Sequence, residues 1–217
     1  MTERRIPYIA IDGPIGVGKT SLARAVAKKL SARLILEAAL ENPFLKLFYE
    51  DMEEHAFQTQ IFFLVSRFKQ QQEILQSELF EQTTVTDYIF QKDDIFAHIT
   101  LSPDEYRLYS RLQEILSTRV PRPDMAIYLQ ADVDALMQRI RSRKIPYENK
   151  MSREYLAKVS EAYERFFFEY DASPLLVVNT NEVNLAKDEA DIDDLIEQLM
   201  RLESGTQYYI PVRREGK

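Results

Sequence analysis

The segment Gly13-Pro14-Ile15-Gly16-Val17-Gly18-Lys19-Thr20 constrains this chain more than any other. It matches the pattern of a glycine, four residues, a glycine, a lysine and a hydroxyl residue, and it lies in the context that gives the pattern meaning. Before it, Tyr8-Ile9-Ala10-Ile11 reads as a short buried strand, and after it Lys19 to Leu30 is rich in helix formers. A strand that feeds a helix through such a loop turns backbone amides and the helix N-terminus toward a chain of phosphates. The glycines allow close backbone approach, Lys19 reaches the outer phosphates and the Thr20 hydroxyl is offered to magnesium. The expected triphosphate-binding segment therefore comprises Gly13, Pro14, Ile15, Gly16, Val17, Gly18, Lys19, Thr20 and Ser21. Its ligands are a nucleoside triphosphate and Mg2+. The bland alternative is a glycine-rich strand-to-helix turn with an incidental lysine, and the loop alone does not name the acceptor.

The rest of the chain continues the alternation of strand and helix. Leu34-Ile35-Leu36, Thr83-Thr84-Val85-Thr86, Met125-Ala126-Ile127-Tyr128-Leu129 and Leu175-Leu176-Val177-Val178 are further strand candidates. Asn42-Pro43 caps a helix running toward Tyr49, and Ser102-Pro103-Asp104-Glu105 opens another. Helices are also expected from about Glu53 to Phe80, Val133 to about Arg143, Ser152 to Tyr170 and Asp191 to Leu202. Short apolar strands alternating with helices predict an α/β fold with a parallel sheet. With 217 residues, one domain over residues 1–203 is expected, followed by a tail over 204–217. The tail lacks periodicity and carries Gly205, Pro211 and the basic pair Arg213-Arg214, so a frayed end is expected. Docking of Tyr208, Tyr209 and Ile210 on the body or on a partner chain is the alternative.

Composition narrows the chemistry. Lys plus Arg is 28 and Asp plus Glu is 35, a net charge of 28 − 35 = −7. Such an acidic chain is not expected to bind nucleic acid. There is no Cys, and His55 and His98 are its two imidazoles. Thiolate chemistry and a multi-His metal site within the chain are thereby excluded, which leaves carboxylates, Arg, Lys and backbone amides. Apolar runs such as Ile61 to Val65 fall far short of the roughly 18 residues of a membrane helix. Without a signal-peptide apolar region either, a cytoplasmic protein with no membrane partner is expected.

Three groups of residues stand where chemistry is expected. Glu37 and Asp87 fall at the carboxyl ends of strands, the side of an open α/β sheet where ligands sit. There a carboxylate can take the proton of an attacking hydroxyl or help to hold magnesium, although each acid singly can also cap the next helix. Gln60 projects from a helix face with Ala56, Phe57, Phe63 and Leu64 as neighbours, and Arg67 lies two turns along that face. A buried amide and guanidinium need partners. A planar base edge provides them, and an internal network with a nearby acid is the alternative. Arg139, Arg141 and Arg143 precede the polar segment Lys144 to Lys150, which reads as a mobile loop able to close over a transferring phosphoryl group. Basic charge at a helix C-terminus is the other reading.

Taken in order, IAIDGPIGVGKTSLA, ILEAALENPF with LFYED and FQTQIFFLVSRF, DYIFQKDDIFA, PDMAIYLQ and RIRSRKIPYENKMSREYL make the chain resemble the deoxyribonucleoside kinase family, within the thymidylate-kinase-like group of phosphate-loop kinases. The resemblance runs from about Ile6 to Leu202. In NPFLKLFYED and DYIFQKDDIFA it points to the bacterial deoxyguanosine and deoxyadenosine kinase branch. It implies a three-layer α/β fold with a five-stranded parallel sheet, helices on both faces and an arginine-rich lid, and a homodimer. The implied activity is transfer of the γ-phosphoryl group of ATP, with Mg2+, to the 5′-hydroxyl of a deoxyribonucleoside, a purine one by branch, in nucleotide salvage.

Carried over by residue, the resemblance makes Glu37 the base for the 5′-hydroxyl, and Tyr49 and Glu148 the pair that holds the 3′-hydroxyl. Gln60 binds the nucleobase with Arg67 nearby, Arg139 and Arg143 are lid arginines, and Lys19 and Thr20 keep their phosphate and magnesium roles. The chain departs from the family in two places. Where many members have an acid, Arg and Ser after the third strand, it reads Thr86-Asp87-Tyr88, so Asp87 stands in for the magnesium-side acid and the Arg has no obvious substitute. Ala38 follows Glu37 where the family often has Pro, and Lys92-Asp93-Asp94 leaves base choice open. The competing readings are a nucleoside monophosphate kinase of the thymidylate type and a catalytically silent nucleotide-binding subunit.

Overall fold

The structure is a computed structural model that describes residues 5–77, 82–183, 185 and 188–211. Its strands are β1 (Tyr8–Asp12), β2 (Arg33–Ile35), β3 (Thr84–Thr86), β4 (Met125–Gln130), β5 (Leu175–Asn179) and β6 (Thr206–Tyr209). They form one six-stranded parallel sheet in the order β2-β3-β1-β4-β5-β6. All of β1 is buried, as a strand flanked by two others and covered on both faces must be. The helices are α1 (Lys19–Lys29), α2 (Leu45–Glu50), α3 (Met52–Ser77), α4 (Asp93–Thr100), α5 (Pro103–Ser117), α6 (Val133–Ser142), α7 (Arg153–Phe168) and α8 (Glu189–Arg201). They cover both faces of the sheet, α1 packing with α8, and α7 with α4 and α6.

Local chemistry sets the ends of these elements. Ser102 and Glu105 form a capping box with Pro103 in the first turn of α5, and Asn42 Oδ1 accepts the Phe44 amide 3.0 Å away just before α2. In α8 the buried Ile192, Leu195 and Leu199 recur at helical spacing. α7 buries Tyr155, Leu156, Val159, Tyr163 and Phe167, with Phe167 stacked on Tyr128 of β4 at 4.2 Å between ring centroids. The loop after β1 needs its glycines. Gly13 has φ 149° and a Cβ there would collide with the Leu129 carbonyl, while Gly18, at φ 108°, is the residue from which α1 starts.

Three expectations are corrected. The sheet has six strands and not five, because Thr206–Tyr209, in the tail expected to fray, pairs with β5 in the register Leu175↔Thr206 to Val178↔Tyr209. The segment TQYY has no apolar run to announce a strand. It lies at the sheet edge with exposed and half-buried residues alternating, and Tyr209 packs on the core. Arg213 and Arg214 lie outside the described residues. α4 was not anticipated either. It is only eight residues long and follows directly on a 3₁₀ turn over Phe90–Lys92, so no separate periodic run marks it. The long helix α3 ends its described course at Ser77, and the expected continuation to Phe80 lies outside the described residues. The expected loop from Lys144 to Lys150 begins with Lys144 at φ 54° and closes in a 3₁₀ turn over Glu148–Lys150.

Ending the chain at Glu203 removes β6 and bares the β5 edge. That truncation is expected to lower the thermal midpoint by about 2–8 °C, the shift that about 1–2 kcal/mol produces in a domain of this size. An unchanged midpoint in a thermal scan would show that β6 adds nothing to stability.

Candidate active site

β1 ends at Asp12, β2 two residues before Glu37 and β3 immediately before Asp87. A cavity of about 640 Å³ opens at these ends. Its lining contains Lys19 and Thr20 of the loop, Glu37, Tyr49, Gln60, Arg67, Asp87, Arg143 and Glu148. The side chains expected to serve the acceptor thus converge from separate elements on one space. Arg139 is not among them. It lines a neighbouring cleft of about 170 Å³ with Gly16, Val17, Gly18, Ser21 and Thr180. Its guanidinium donates to Thr180 Oγ1 at 3.0 Å and to the carbonyls of Thr180, Val17 and Asn181. Arg139 thus ties the loop to the chain after β5, whereas Arg143 lines both the cleft and the larger cavity, 3.9 Å from Glu148 Oε1.

Asp87 joins the two halves of the site. Its Oδ2 accepts the Thr20 hydroxyl at 2.5 Å and its Oδ1 accepts the Glu37 amide at 2.7 Å. Lys19 Nζ donates to the carbonyls of Gly13 at 2.7 Å and Pro14 at 3.1 Å. Burial and the neighbouring Lys92 hold its pKa down to about 8, against the pull of Asp12, Glu37 and Asp87. Thr20 and Asp87 together offer a hydroxyl and a carboxylate at the mouth of the phosphate loop. Among the described residues no group of three or more Asp, Glu, His or Cys is placed to hold a metal ion. That donor set fits Mg2+, which keeps several waters and substrate phosphates and needs only one or two protein oxygens.

Glu37 is held by cations. Its Oε1 accepts Arg67 Nε at 2.7 Å and a second bond from Arg67 Nη2, and Lys92 Nζ lies 3.4 Å away. Burial raises the pKa of this carboxyl, but Arg67, Lys92 and Lys19 outweigh it and hold the pKa down to about 2. Arg67 also pairs with the fully buried Asp93 of α4, and its guanidinium lies over the rings of Phe63 at 5.0 Å and Tyr88 at 5.7 Å. An internal network with nearby acids therefore forms for Arg67, and Gln60 is not part of it. Gln60 Nε2 makes a long bond to Thr100 Oγ1, 3.4 Å, and still borders the cavity.

On the opposite wall Tyr49 stacks on Tyr147 with centroids 5.6 Å apart. Its phenol is pushed well up by burial and by nearby Tyr155 and Glu148. Glu148 is raised in turn by burial, against Arg143 and Lys19, and its buried Oε2 has no hydrogen-bond partner among the described residues.

The segment Lys92-Asp93-Asp94, read in the sequence only as bearing on base choice, instead brings Lys92 to Glu37 and Asp93 to Arg67, and sequence reasoning assigns Asp12 no role in the site. Asp12, fully buried, accepts the amides of Gly13 at 2.7 Å and Ile89 at 2.8 Å and the Tyr163 hydroxyl at 3.1 Å. The signal for Lys92 and Asp93 is present in the sequence: a charged run set between the apolar pairs Ile89-Phe90 and Ile95-Phe96, starting six residues beyond the end of β3.

The model of a family described as deoxynucleoside kinase matches residues 9–202. A deoxyguanosine kinase of Bacillus subtilis (strain 168) is 38% identical over 159 residues, which cover 73% of this chain and 77% of that one. A deoxyadenosine/deoxycytidine kinase of the same organism is 33% identical over 210 residues, 92% of this chain and 95% of that one. A solved structure of deoxyadenosine kinase from M. mycoides with bound dATP superposes with a TM-score of 0.77 at 25% identity, covering 90% of this chain and 99% of that one.

Replacing Arg67 with Met leaves Glu37 without its closest cation and Asp93 without the cation paired to it, both in buried surroundings. The variant is expected to lose about 3–5 kcal/mol of stability, the cost of breaking a buried ion pair from one side. Urea denaturation measures it, and a loss under about 1 kcal/mol would show that the pair is not stabilised as its geometry implies.

Proposed function

The chain belongs to the deoxynucleoside kinase family, and from that premise we propose how its cavity performs the reaction. The protein is an ATP-dependent deoxyribonucleoside kinase. The observation that carries the assignment of roles is that one carboxylate, Asp87, bonds both the phosphate-loop hydroxyl and the backbone of Glu37. The donor loop and the acceptor acid are thereby held in one frame. The loop from Gly13 to Ser21 cradles the ATP phosphates by its amides, and Lys19 reaches the outer phosphates. Thr20 and Asp87 are the residues that would hold Mg2+, which when bound neutralises charge on the phosphates. Glu37 takes the proton of the 5′-hydroxyl as its oxygen bonds to the γ-phosphorus, and the bond from that phosphorus to the bridging oxygen breaks with its electron pair leaving on ADP.

Tyr49 and Glu148 face the 3′-hydroxyl. Glu148, with one buried oxygen unpartnered, has the acceptor that a sugar hydroxyl requires. Gln60 meets the base edge with its amide, Arg67 beside it, and a purine is the proposed base. Arg143, which lines both the cavity and the cleft, closes over the transferring group, while Arg139 acts from the donor side by ordering the loop. A monophosphate acceptor is disfavoured, because a Glu37 carboxylate held at a pKa of about 2 repels a phosphate at every working pH.

Residues 1–203 are proposed to be the catalytic unit, so the chain ended at Glu203 should keep its turnover while losing stability. No helix of the described residues is long and apolar enough to cross a membrane, and a cytoplasmic location is proposed from the family resemblance alone. Self-association is proposed through α5 and α3. Leu108, Leu112 and Ile115 lie exposed on one face of α5, and Val65 and Leu75 are exposed on the helix that packs beside it.

Glu37→Gln is expected to leave ATP and deoxynucleoside binding intact while turnover falls at least ~100-fold, the lower end for loss of a general base. A coupled ADP-release assay across the deoxynucleosides and their monophosphates checks this. Turnover with monophosphates alone would overturn the reading. Leu108→Glu combined with Ile115→Glu should convert a dimer to a monomer in sedimentation, and a dimer that survives the change would exclude this face.

A further inference from the structure

The contacts of Glu37 are one-sided. Arg67 Nε, Arg67 Nη2 and Lys92 Nζ all approach Oε1, the last at 3.4 Å. Among the described residues no hydrogen bond or ion pair reaches Oε2, and the side chain, 18% exposed, borders the cavity. Lys92 is only 2% exposed and is carried by the 3₁₀ turn Phe90–Lys92. Its other anion, Asp12 Oδ1, is farther, at 3.7 Å, and both contacts are ion pairs longer than the about 2.7–3.2 Å of an N–H···O bond. Asp12 is already supplied by two amides and a tyrosine hydroxyl. The closer partner of this enclosed ammonium is therefore the Glu37 carboxylate.

We propose that Lys92 is a positioning residue of the phosphoryl transfer: with Arg67 it grips Oε1 of Glu37, so that Oε2 is turned to the acceptor hydroxyl. The inference rests on the reading of Glu37 as the base. Arg67 holds the carboxylate from α3 and Lys92 from the turn after β3, and two supports from different elements stop a rotation about the terminal bond that either alone would permit. In the step itself the hydroxyl proton passes to Oε2, the acceptor oxygen bonds to the γ-phosphorus and ADP leaves with the bridging electron pair. Lys92 forms and breaks no bond.

The test is a double-mutant cycle of Lys92→Met with Glu37→Gln. Lys92→Met alone is expected to lower kcat about 10- to 100-fold with the deoxynucleoside KM and ATP affinity within about threefold of wild type, the signature of an interaction made in the transition state. In the Glu37→Gln background the same change should cost less than about twofold, since the group through which Lys92 acts is gone. Lys92→Arg should recover most of the lost kcat. If Lys92→Met keeps kcat within about threefold of wild type, or if its cost is the same in both backgrounds, the inference is wrong and Lys92 serves packing or Asp12 alone. Should the methionine variant not fold, Lys92→Gln takes its place in the cycle. Wild-type turnover with a deoxynucleoside and its collapse in Glu37→Gln are read separately, so failure of the kinase reading is distinct from a silent Lys92.

Discussion

The carboxylate of Asp87 is bonded at both oxygens, to the Thr20 hydroxyl in the first turn of α1 and to the amide of Glu37 beyond β2. Hydrogen bonds to an ionised acceptor are short and about twice as strong as neutral ones, and this one is almost wholly buried. Its consequence is positional. Transfer of a phosphoryl group needs donor and acceptor oxygens within a few tenths of an ångström of a productive line. Here the loop proposed to hold the phosphates and the segment that carries Glu37, the proposed base, are bonded to one carboxylate. The main chain of Glu37 is set by Asp87 and its side chain by Arg67 and Lys92, so backbone and carboxylate are fixed independently.

Holding this frame requires charge in the core. Asp12, Arg67, Lys92 and Asp93 are all buried around the strand ends. Removing such ions from water costs several kcal/mol each, and their mutual attraction often does no more than offset it. Well-packed apolar residues of similar volume would serve stability at least as well. The cluster is therefore better understood as a site than as a fold determinant, with the aromatic column of Tyr128, Tyr163 and Phe167 supplying apolar contact beside it. Tyr163 belongs to both, stacking within the column while its hydroxyl reaches Asp12.

The same division explains what could be read from the sequence. The phosphate loop, the strand ends at Glu37 and Asp87 and the longer helices are written in local periodicity and in residues at fixed spacing, and the structure has them close to where that pattern puts them. Gln60 and Arg67 could be placed on one face of α3 because seven residues return a helix to nearly the same side. Lys92 and Asp93 could not be assigned partners, since their roles depend on α4 folding back against α3 and on the turn that precedes it. β6 was hidden for a different reason. An edge strand exposed on alternate residues carries little apolar signal, and its existence depends on the β5 edge being free to receive it.

The electrostatics of Glu37 bear on the base role proposed for it. Surrounded by Arg67, Lys92 and Lys19, its carboxyl is held ionised down to about pH 2. A base so easily deprotonated is intrinsically weak, and by Brønsted reasoning it is poorly matched to pulling a proton early from an alcohol. Phosphoryl transfer does not demand that. Its transition state is loose in most analyses, with little bond formation to the incoming oxygen, so the hydroxyl becomes acidic only as the new bond closes. What the acceptor needs until then is an ionised hydrogen-bond acceptor in a fixed direction. In the proposed role, the cations that weaken Glu37 as a base are the ones that hold its Oε1 and keep it charged, so placement outweighs basicity.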